Sequence, residues 1–208
     1  MSFIAWENRN LPMGLHFVTD LGDQAVILPL VATTGVVLLL AGWWRGALAW
    51  FFAVPATLGV VLLAKMSTIA CQSLMPSMGL LSPSGHASSA AVVYGGVLAL
   101  VLGGARFRLA VPVLCGLVVA LVVGFTRWAL GVHTLADVIV GGLIGTAGVV
   151  VLAWLAGPRP ALRRGWIGVA AAMLAVVVLF HGRHVYAEMH ISRVSQHIWP
   201  LTLCAADR

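Results

Sequence analysis

The sequence predicts an all-α fold: a polytopic membrane bundle of about six transmembrane helices. Of the 208 residues, 61% are hydrophobic and only 9% are charged, whereas a soluble domain carries roughly a quarter charged residues. Long apolar runs are separated by short arginine-containing loops, and glycines such as Gly141, Gly142 and Gly145 suit close packing of membrane helices. These observations predict an integral membrane protein.

The apolar runs mark the predicted spans, and several are shorter than the ~20 residues that a perpendicular membrane helix needs. We therefore expect the helix ends to reach into the loops. Pro29, Pro55 and Pro112 lie inside spans, which membrane helices tolerate when neighbouring groups satisfy the freed backbone. The predicted spans are Gln24–Ala41, Ala47–Ala64, Ala87–Leu102, Leu109–Phe125, Leu135–Leu155 and Trp166–Phe180.

The spans divide the chain into three predicted parts. Residues 24–181 form the membrane domain. Residues 1–23 carry scattered large apolar side chains among polar ones, which suits a segment lying on the membrane surface. Residues 182–208 form an extramembrane tail. The histidines near the C-terminus are loosely spaced, which is more typical of solvated side chains than of metal ligands.

The short loops between spans predict the orientation of the chain in the membrane. Short arginine-rich loops favour the cytoplasmic side, so both termini and the loops 65–86 and 126–134 should face outward. The net charge of +6 would also suit nucleic acid, but no basic run with interleaved aromatic residues is present, and no nucleic-acid partner is expected. The loop arginines are Arg45, Arg106, Arg108, Arg159, Arg163 and Arg164.

A polar stretch at residues 126–137 precedes the fifth span and places Arg127, His133 and Asp137 at its start. On a helix beginning near His133, Asp137 lies one turn further on the same face. Its carboxylate can hold one imidazole nitrogen and leave the other free to react, while a planar arginine suits phosphate or carboxylate. A purely structural ion pair closing a helix turn is the alternative interpretation.

A second polar stretch ends in Ser84, Gly85 and His86, where the third span begins. Free N–H groups at a helix start attract anions, and glycine lets an anion approach the backbone. By the span count, Lys65 belongs to the same membrane face. The alternatives are an ordinary serine N-cap and a snorkelling lysine. Together, however, these groups match what phosphoryl transfer requires.

The order and spacing of these residues resemble two motifs of the type 2 phosphatidic acid phosphatase superfamily. The Pro-Ser-Gly-His motif is present as residues 83–86. The motif Ser-Arg, five residues, His, three residues, Asp is present at 126–137, with Thr126 in place of serine. The resemblance covers about Thr19 to Leu155.

The first motif of that family, Lys followed after six residues by Arg-Pro, is only partly present. Lys65 is retained, but Gln72 and Ser73 stand where Arg-Pro is expected. This motif therefore lacks the second phosphate-binding cation.

The resemblance implies a role for each matching residue. His133 resembles the nucleophile that forms a phosphohistidine, Asp137 its orienting partner, and His86 the general acid. The family needs no metal ion or other cofactor, and the sequence shows no carboxylate cluster that would hold a pair of ions. The residues that resemble the phosphate cradle are Lys65, Ser84, Gly85 and Arg127.

The resemblance thus implies an integral membrane phosphatase that hydrolyses a lipid phosphate monoester or an isoprenyl or other lipid pyrophosphate. Its expected location is the bacterial inner membrane, among membrane lipids, with the site facing the periplasm. One alternative is a lipid phosphotransferase that uses the same site. A non-enzymatic haem-binding protein or scaffold is another, although haem ligation normally pairs histidines on facing helices. The particular lipid and the oligomeric state remain open.

Overall fold

The computed structural model describes residues 13–70, 81–103, 109–158, 160, 163–185, 191 and 194. All regular structure within these residues is helical, so the predicted all-α class is confirmed. The helices are α1 Met13–Asp20, α2 Gln24–Leu40, α3 Trp44–Ala70, α4 Gly85–Leu102 with a π-helical segment at Ala91–Gly95, α5 Ala110–Ala129, α6 Leu135–Ala156 and α7 Arg163–Phe180.

Each predicted span coincides with one of the helices α2 to α7. Among the described residues, 4 helices (α3, α4, α5 and α6) are long and apolar enough to cross a membrane, and α1 with α2 forms a further candidate span bent by 45°. The apolar part of α7, Gly165–Phe180, is shorter. As expected from the short apolar runs, α3 extends beyond its predicted span at both ends.

Helix α6 lies at the centre of the bundle and packs against α3, α4 and α5. Glycines permit these close approaches, because a Cβ at Gly145 would lie only 2.6 Å from the carbonyl oxygen of Ser88. A Cβ at Gly141 would overlap the carbonyl oxygen of Ser84. The turn before α4 therefore lies directly on the first turns of α6, which brings the two polar stretches of the sequence together.

The main apolar core is formed by α2, α3, α4, α6 and α7. Trp50 is completely buried in it and donates its indole N–H to the carbonyl of Val31 at 2.9 Å. Large apolar side chains such as Phe52, Leu143 and Trp154 are exposed on the outer faces of the helices. Exposure on this scale suits contact with lipid rather than water, and the protein is an integral membrane protein.

The two ends of the bundle contain different groups of residues. At one end, the C-terminal turns of α3 and α5 meet the N-terminal turns of α4 and α6. At the other end, Arg45 donates from Nε to the carbonyl of Leu155 at 2.8 Å, and so satisfies an acceptor in the last turn of α6. The residues that the sequence singled out for chemistry all lie near the first end.

Candidate active site

Asp137 fastens the turn before α4 to the start of α6. Its Oδ1 accepts hydrogen bonds from the backbone N–H groups of Leu81 at 2.9 Å and Ser82 at 2.8 Å. Its carbonyl oxygen accepts from the N–H of Ser84 at 2.9 Å. The residue is only 1% exposed. This one aspartate therefore holds the Pro-Ser-Gly-His turn in place, a function that the sequence did not indicate.

The second oxygen of Asp137 faces its own helix. Oδ2 accepts from the backbone N–H of Thr134 at 3.0 Å, and the Thr134 hydroxyl accepts from the N–H of Asp137 at 3.1 Å, which completes a capping box. The same Oδ2 lies 3.6 Å from Nδ1 of His133, a contact longer than a hydrogen bond. Contacts of this kind often tighten when substrate binds. This arrangement favours a proton on Nδ1 and an electron pair on Nε2, which is buried.

Arg127 is connected to His133 through the backbone. Its carbonyl accepts from the N–H groups of Val132 at 3.1 Å and His133 at 3.4 Å. The chain makes this turn at Gly131, whose φ of 67° is in the left-handed region that favours glycine. The Arg127 side chain is buried, and its Nη1 donates to the hydroxyl of Thr19 in α1 at 3.3 Å.

The start of α4 lies beside Lys65. Ser84 is the N-cap of α4, and its hydroxyl oxygen accepts from the N–H of Ala87 at 3.4 Å, which leaves the hydroxyl proton to donate elsewhere. A Cβ at Gly85 would meet one atom within 4 Å, Nζ of Lys65 at 3.9 Å. Lys65 is only 5% exposed, which does not suit a snorkelling anchor. The ammonium group is directed at the helix start.

A cavity of about 290 Å³ opens between α2 and α3 at this point. Its polar lining residues are Asp23, Gln24, Lys65 and His86, with Gly85 beside them, and the rest of the wall is apolar. Four of the described site residues do not line this cavity: Ser84, Arg127, His133 and Asp137. The structure thus presents two adjoining groups, one at the cavity and one around Asp137, joined through the turn at Ser84. The apolar wall consists mainly of Leu28, Leu58, Val61 and Leu62.

Asp23 is a site neighbour that the sequence analysis did not identify. Its Oδ2 lies 3.9 Å from Nε2 of His86, whose side chain is 19% exposed. An aspartate ahead of an apolar run is a typical N-cap signal, and Asp23 does cap α2. Its proximity to His86 depends on the packing of α1 and α2 against α4, which no local pattern reveals.

Some expectations fall on residues outside the described part of the chain. Gln72 and Ser73, which replace the Arg-Pro of the first motif, are among them, as are residues 1–12 and most of the tail from 186 onward. Within the described residues, no group of three or more His, Cys, Asp or Glu side chains could hold a metal ion. Metal independence remains a prediction for experiment.

Comparison with known proteins gives one family match. The model of the PAP2 superfamily matches residues 30–161, which is more than half of the chain and includes both polar stretches. No curated protein and no solved structure matches. Members of this superfamily are phosphatases that act on phosphate esters. The predicted resemblance is confirmed at this level, and the chain belongs to the PAP2 superfamily.

Proposed function

We propose that this membrane protein hydrolyses a lipid phosphate monoester or a lipid pyrophosphate through a phosphohistidine on His133, without a metal ion. The observation that carries the proposal is the double use of Asp137. One of its oxygens anchors the turn that begins α4, and the other faces Nδ1 of His133. A phosphate held at the helix start would therefore lie at a fixed position relative to the nucleophile.

The chemistry follows from the groups around this position. Nε2 of His133 attacks phosphorus, so that a P–N bond forms while the P–O bond to the leaving group breaks. His86 gives a proton to the departing oxygen. In the second step water attacks phosphorus and releases phosphate and free His133. The groups proposed to stabilise the equatorial oxygens are Lys65, Arg127, the Ser84 hydroxyl and the Gly85 backbone N–H.

The cavity supports a lipid as substrate. Its polar lining includes Lys65 and His86 as well as Asp23 and Gln24, and most of the remaining wall is apolar, as a phosphate attached to a hydrocarbon chain requires. The volume of about 290 Å³ is at the lower limit for ligand pockets. The cavity therefore accommodates only the part of a chain nearest the phosphate, and the remainder must extend between α2 and α3 into the membrane.

The proposed orientation places this site at the outer face of the bacterial inner membrane. The support is the short arginine loops together with the position of Arg45, which contacts Leu155 at the end of the bundle opposite the site. A lipid in the outer leaflet would then enter the cavity laterally, from within the bilayer.

A phosphate-release screen tests the proposal directly. The purified protein in detergent is given phosphatidic acid, phosphatidylglycerol phosphate, an isoprenyl pyrophosphate and a phosphorylated lipid A, each with and without EDTA. We expect free phosphate from at least one lipid, unaffected by EDTA and absent with His133→Ala. Transfer of the phosphoryl group to an added alcohol without free phosphate would indicate a phosphotransferase. Phosphate release by His133→Ala, or from no lipid at all, would refute the proposal.

A further inference from the structure

We propose that Asp23 is a positioning residue for His86, which it holds in the orientation and protonation state needed to donate a proton to the leaving oxygen. This inference rests on the proposed phosphatase function. It starts from the contact of 3.9 Å between Oδ2 of Asp23 and Nε2 of His86. The result would be a second His-Asp pair beside that of His133 and Asp137.

The position of Asp23 relative to His86 is fixed by the turn between α1 and α2. The Ser89 hydroxyl donates to the carbonyl of Gly22 at 3.1 Å, and the Tyr94 hydroxyl donates to the carbonyl of Leu21 at 2.9 Å. Gly22 packs directly on the histidine, since a Cβ there would lie 3.0 Å from Cβ of His86. These contacts hold the turn on the first half of α4, the helix that carries His86.

The two oxygens of Asp23 have separate environments. Oδ1 accepts from the backbone N–H groups of Ala25 at 2.8 Å and Val185 at 3.2 Å. Oδ2 faces two imidazoles, Nδ1 of His184 at 3.5 Å and Nε2 of His86 at 3.9 Å. The Asp23 side chain is only 7% exposed. A buried carboxylate is costly unless hydrogen bonds and positive charge compensate it, and either ring supplies such a charge to Oδ2 when it is protonated.

The charge of Asp23 otherwise conflicts with its location. It lines the same cavity as Lys65, where the phosphate is proposed to bind and where a carboxylate repels an anion. A protonated His86 resolves this conflict, because the Asp23 carboxylate stabilises the imidazolium and the imidazolium offsets the negative charge. The charged groups around His86 are then Asp23, the N-cap of α2, and Lys65 of α3, which lines the same cavity. His184 lies near the carboxylates of both Asp23 and Asp20.

The proton balance follows from which nitrogen faces Asp23. The imidazolium of His86 keeps its Nε2 proton toward Asp23 and gives its Nδ1 proton to the leaving oxygen as the P–O bond breaks. The neutral ring then takes a proton at Nδ1 from the attacking water while the P–N bond to His133 breaks. Asp23 favours the same tautomer throughout and touches no reacting atom.

The competing interpretation is structural, because Asp23 caps α2 and contacts the segment after α7. Asp23→Asn separates the two roles. Asparagine caps a helix about as well as aspartate, and its amide oxygen can still accept from Ala25 and Val185, but the charge next to His86 is lost. If this variant fails to fold, Asp23→Ser provides a second neutral cap. His184→Ala is the matched control, since it removes the nearer imidazole but leaves the contact with His86.

The test is a double-mutant cycle on two leaving groups. On phosphatidic acid, whose alkoxide leaving group needs a proton, we expect Asp23→Asn to lower kcat/KM, which reports formation of the phosphohistidine, about 10- to 100-fold with little change in KM. On an aryl phosphate, whose phenolate needs little help, the loss should be below about threefold. Asp23→Asn should add almost nothing to His86→Ala, because Asp23 acts only through the His86 imidazole. His184→Ala should stay near the wild type.

Several results would overturn the role of Asp23. They are equal losses on both substrates, a loss that multiplies with that of His86→Ala, and a loss that His184→Ala reproduces. A wild-type protein that releases no phosphate refutes the proposed function and this inference with it. An active wild type whose losses multiply in the double variant refutes the inference alone.

Discussion

Replacing Asp137 with asparagine disturbs both roles of this carboxylate by amounts that the structure allows us to estimate. Three backbone N–H groups donate to its two oxygens, those of Leu81 and Ser82 to Oδ1 and that of Thr134 to Oδ2. An amide has one acceptor oxygen. At the position of Oδ1 the amide oxygen accepts hydrogen bonds from two N–H groups, whereas at the position of Oδ2 it accepts from one. We therefore expect the oxygen to stay at Oδ1 and the N–H of Thr134 to lose its acceptor, which costs about 1–3 kcal/mol of stability.

The loss of activity should be much larger than this loss of stability implies. The new NH₂ group occupies the position of Oδ2, 3.6 Å from Nδ1 of His133. It can donate to Nδ1 but cannot accept from it, so the imidazole proton moves to Nε2 and the attacking electron pair is lost. The same change at a serine-protease triad lowers kcat about 10⁴-fold. We expect Asp137→Asn to lower kcat about 10³- to 10⁴-fold.

The assay combines kcat on the best lipid substrate with thermal unfolding in detergent. Thr134→Ala is the matched control, because it removes the hydroxyl that caps Asp137 and should cost about 1 kcal/mol without changing the tautomer. Its kcat should fall less than about tenfold. An Asp137→Asn protein with kcat within about threefold of the wild type would refute the tautomer argument, as would an equal loss in Thr134→Ala.

Three further predictions concern the proposed phosphate-binding site, the cavity proposed for the hydrocarbon chain of the lipid, and the orientation of the protein in the membrane. A methyl group at Gly85 fits sterically but lies beside the Lys65 ammonium. Gly85→Ala should therefore lower kcat/KM about tenfold or more at an unchanged unfolding temperature. Equal activity of Gly85→Ala and the surface control Gly14→Ala would contradict the proposed position of the phosphate. Gly59 lines the cavity, and Gly59→Leu should reduce turnover of a long-chain lipid about tenfold while leaving turnover of a soluble aryl phosphate unchanged. Equal losses on the two substrates would argue against a hydrocarbon chain in this cavity. A periplasm-active reporter should be active at the C-terminus and inactive in the loop 157–165, and the reverse pattern would place the site at the cytoplasmic face.

The helices could be predicted from the sequence because the bilayer requires long apolar runs, and those runs have clear limits. The residues at which the helices begin and end were less predictable. The apolar run of α3 stops where Lys65 begins a polar stretch, yet the helix continues to Ala70. A helix needs only its own backbone hydrogen bonds to continue, so a hydropathy limit is not a helix limit.

The site could be predicted as a set of residue types but not as a network. The spacing from His133 to Asp137 predicted one contact, and the structure contains it. The bonds from Asp137 to Leu81 and Ser82 join residues 56 and 55 positions apart, and backbone donors leave no mark in the sequence. The contact of Asp23 with His86 is equally non-local. A residue's spatial neighbours depend on tertiary packing, in this case on glycines that let α4 and the turn before α2 approach closely.

The measurement that tests the account most directly is a search for the covalent intermediate. The protein is mixed with phosphatidic acid labelled with ³²P, quenched in alkali within milliseconds and digested. Alkali preserves a phosphohistidine, whereas acid releases it. We predict a label that survives alkali and is lost in acid, located on the peptide that carries His133 and absent from His133→Ala. A label on another residue, or rapid turnover with no labelled protein at any quench time, would contradict the assignment of His133 as the nucleophile.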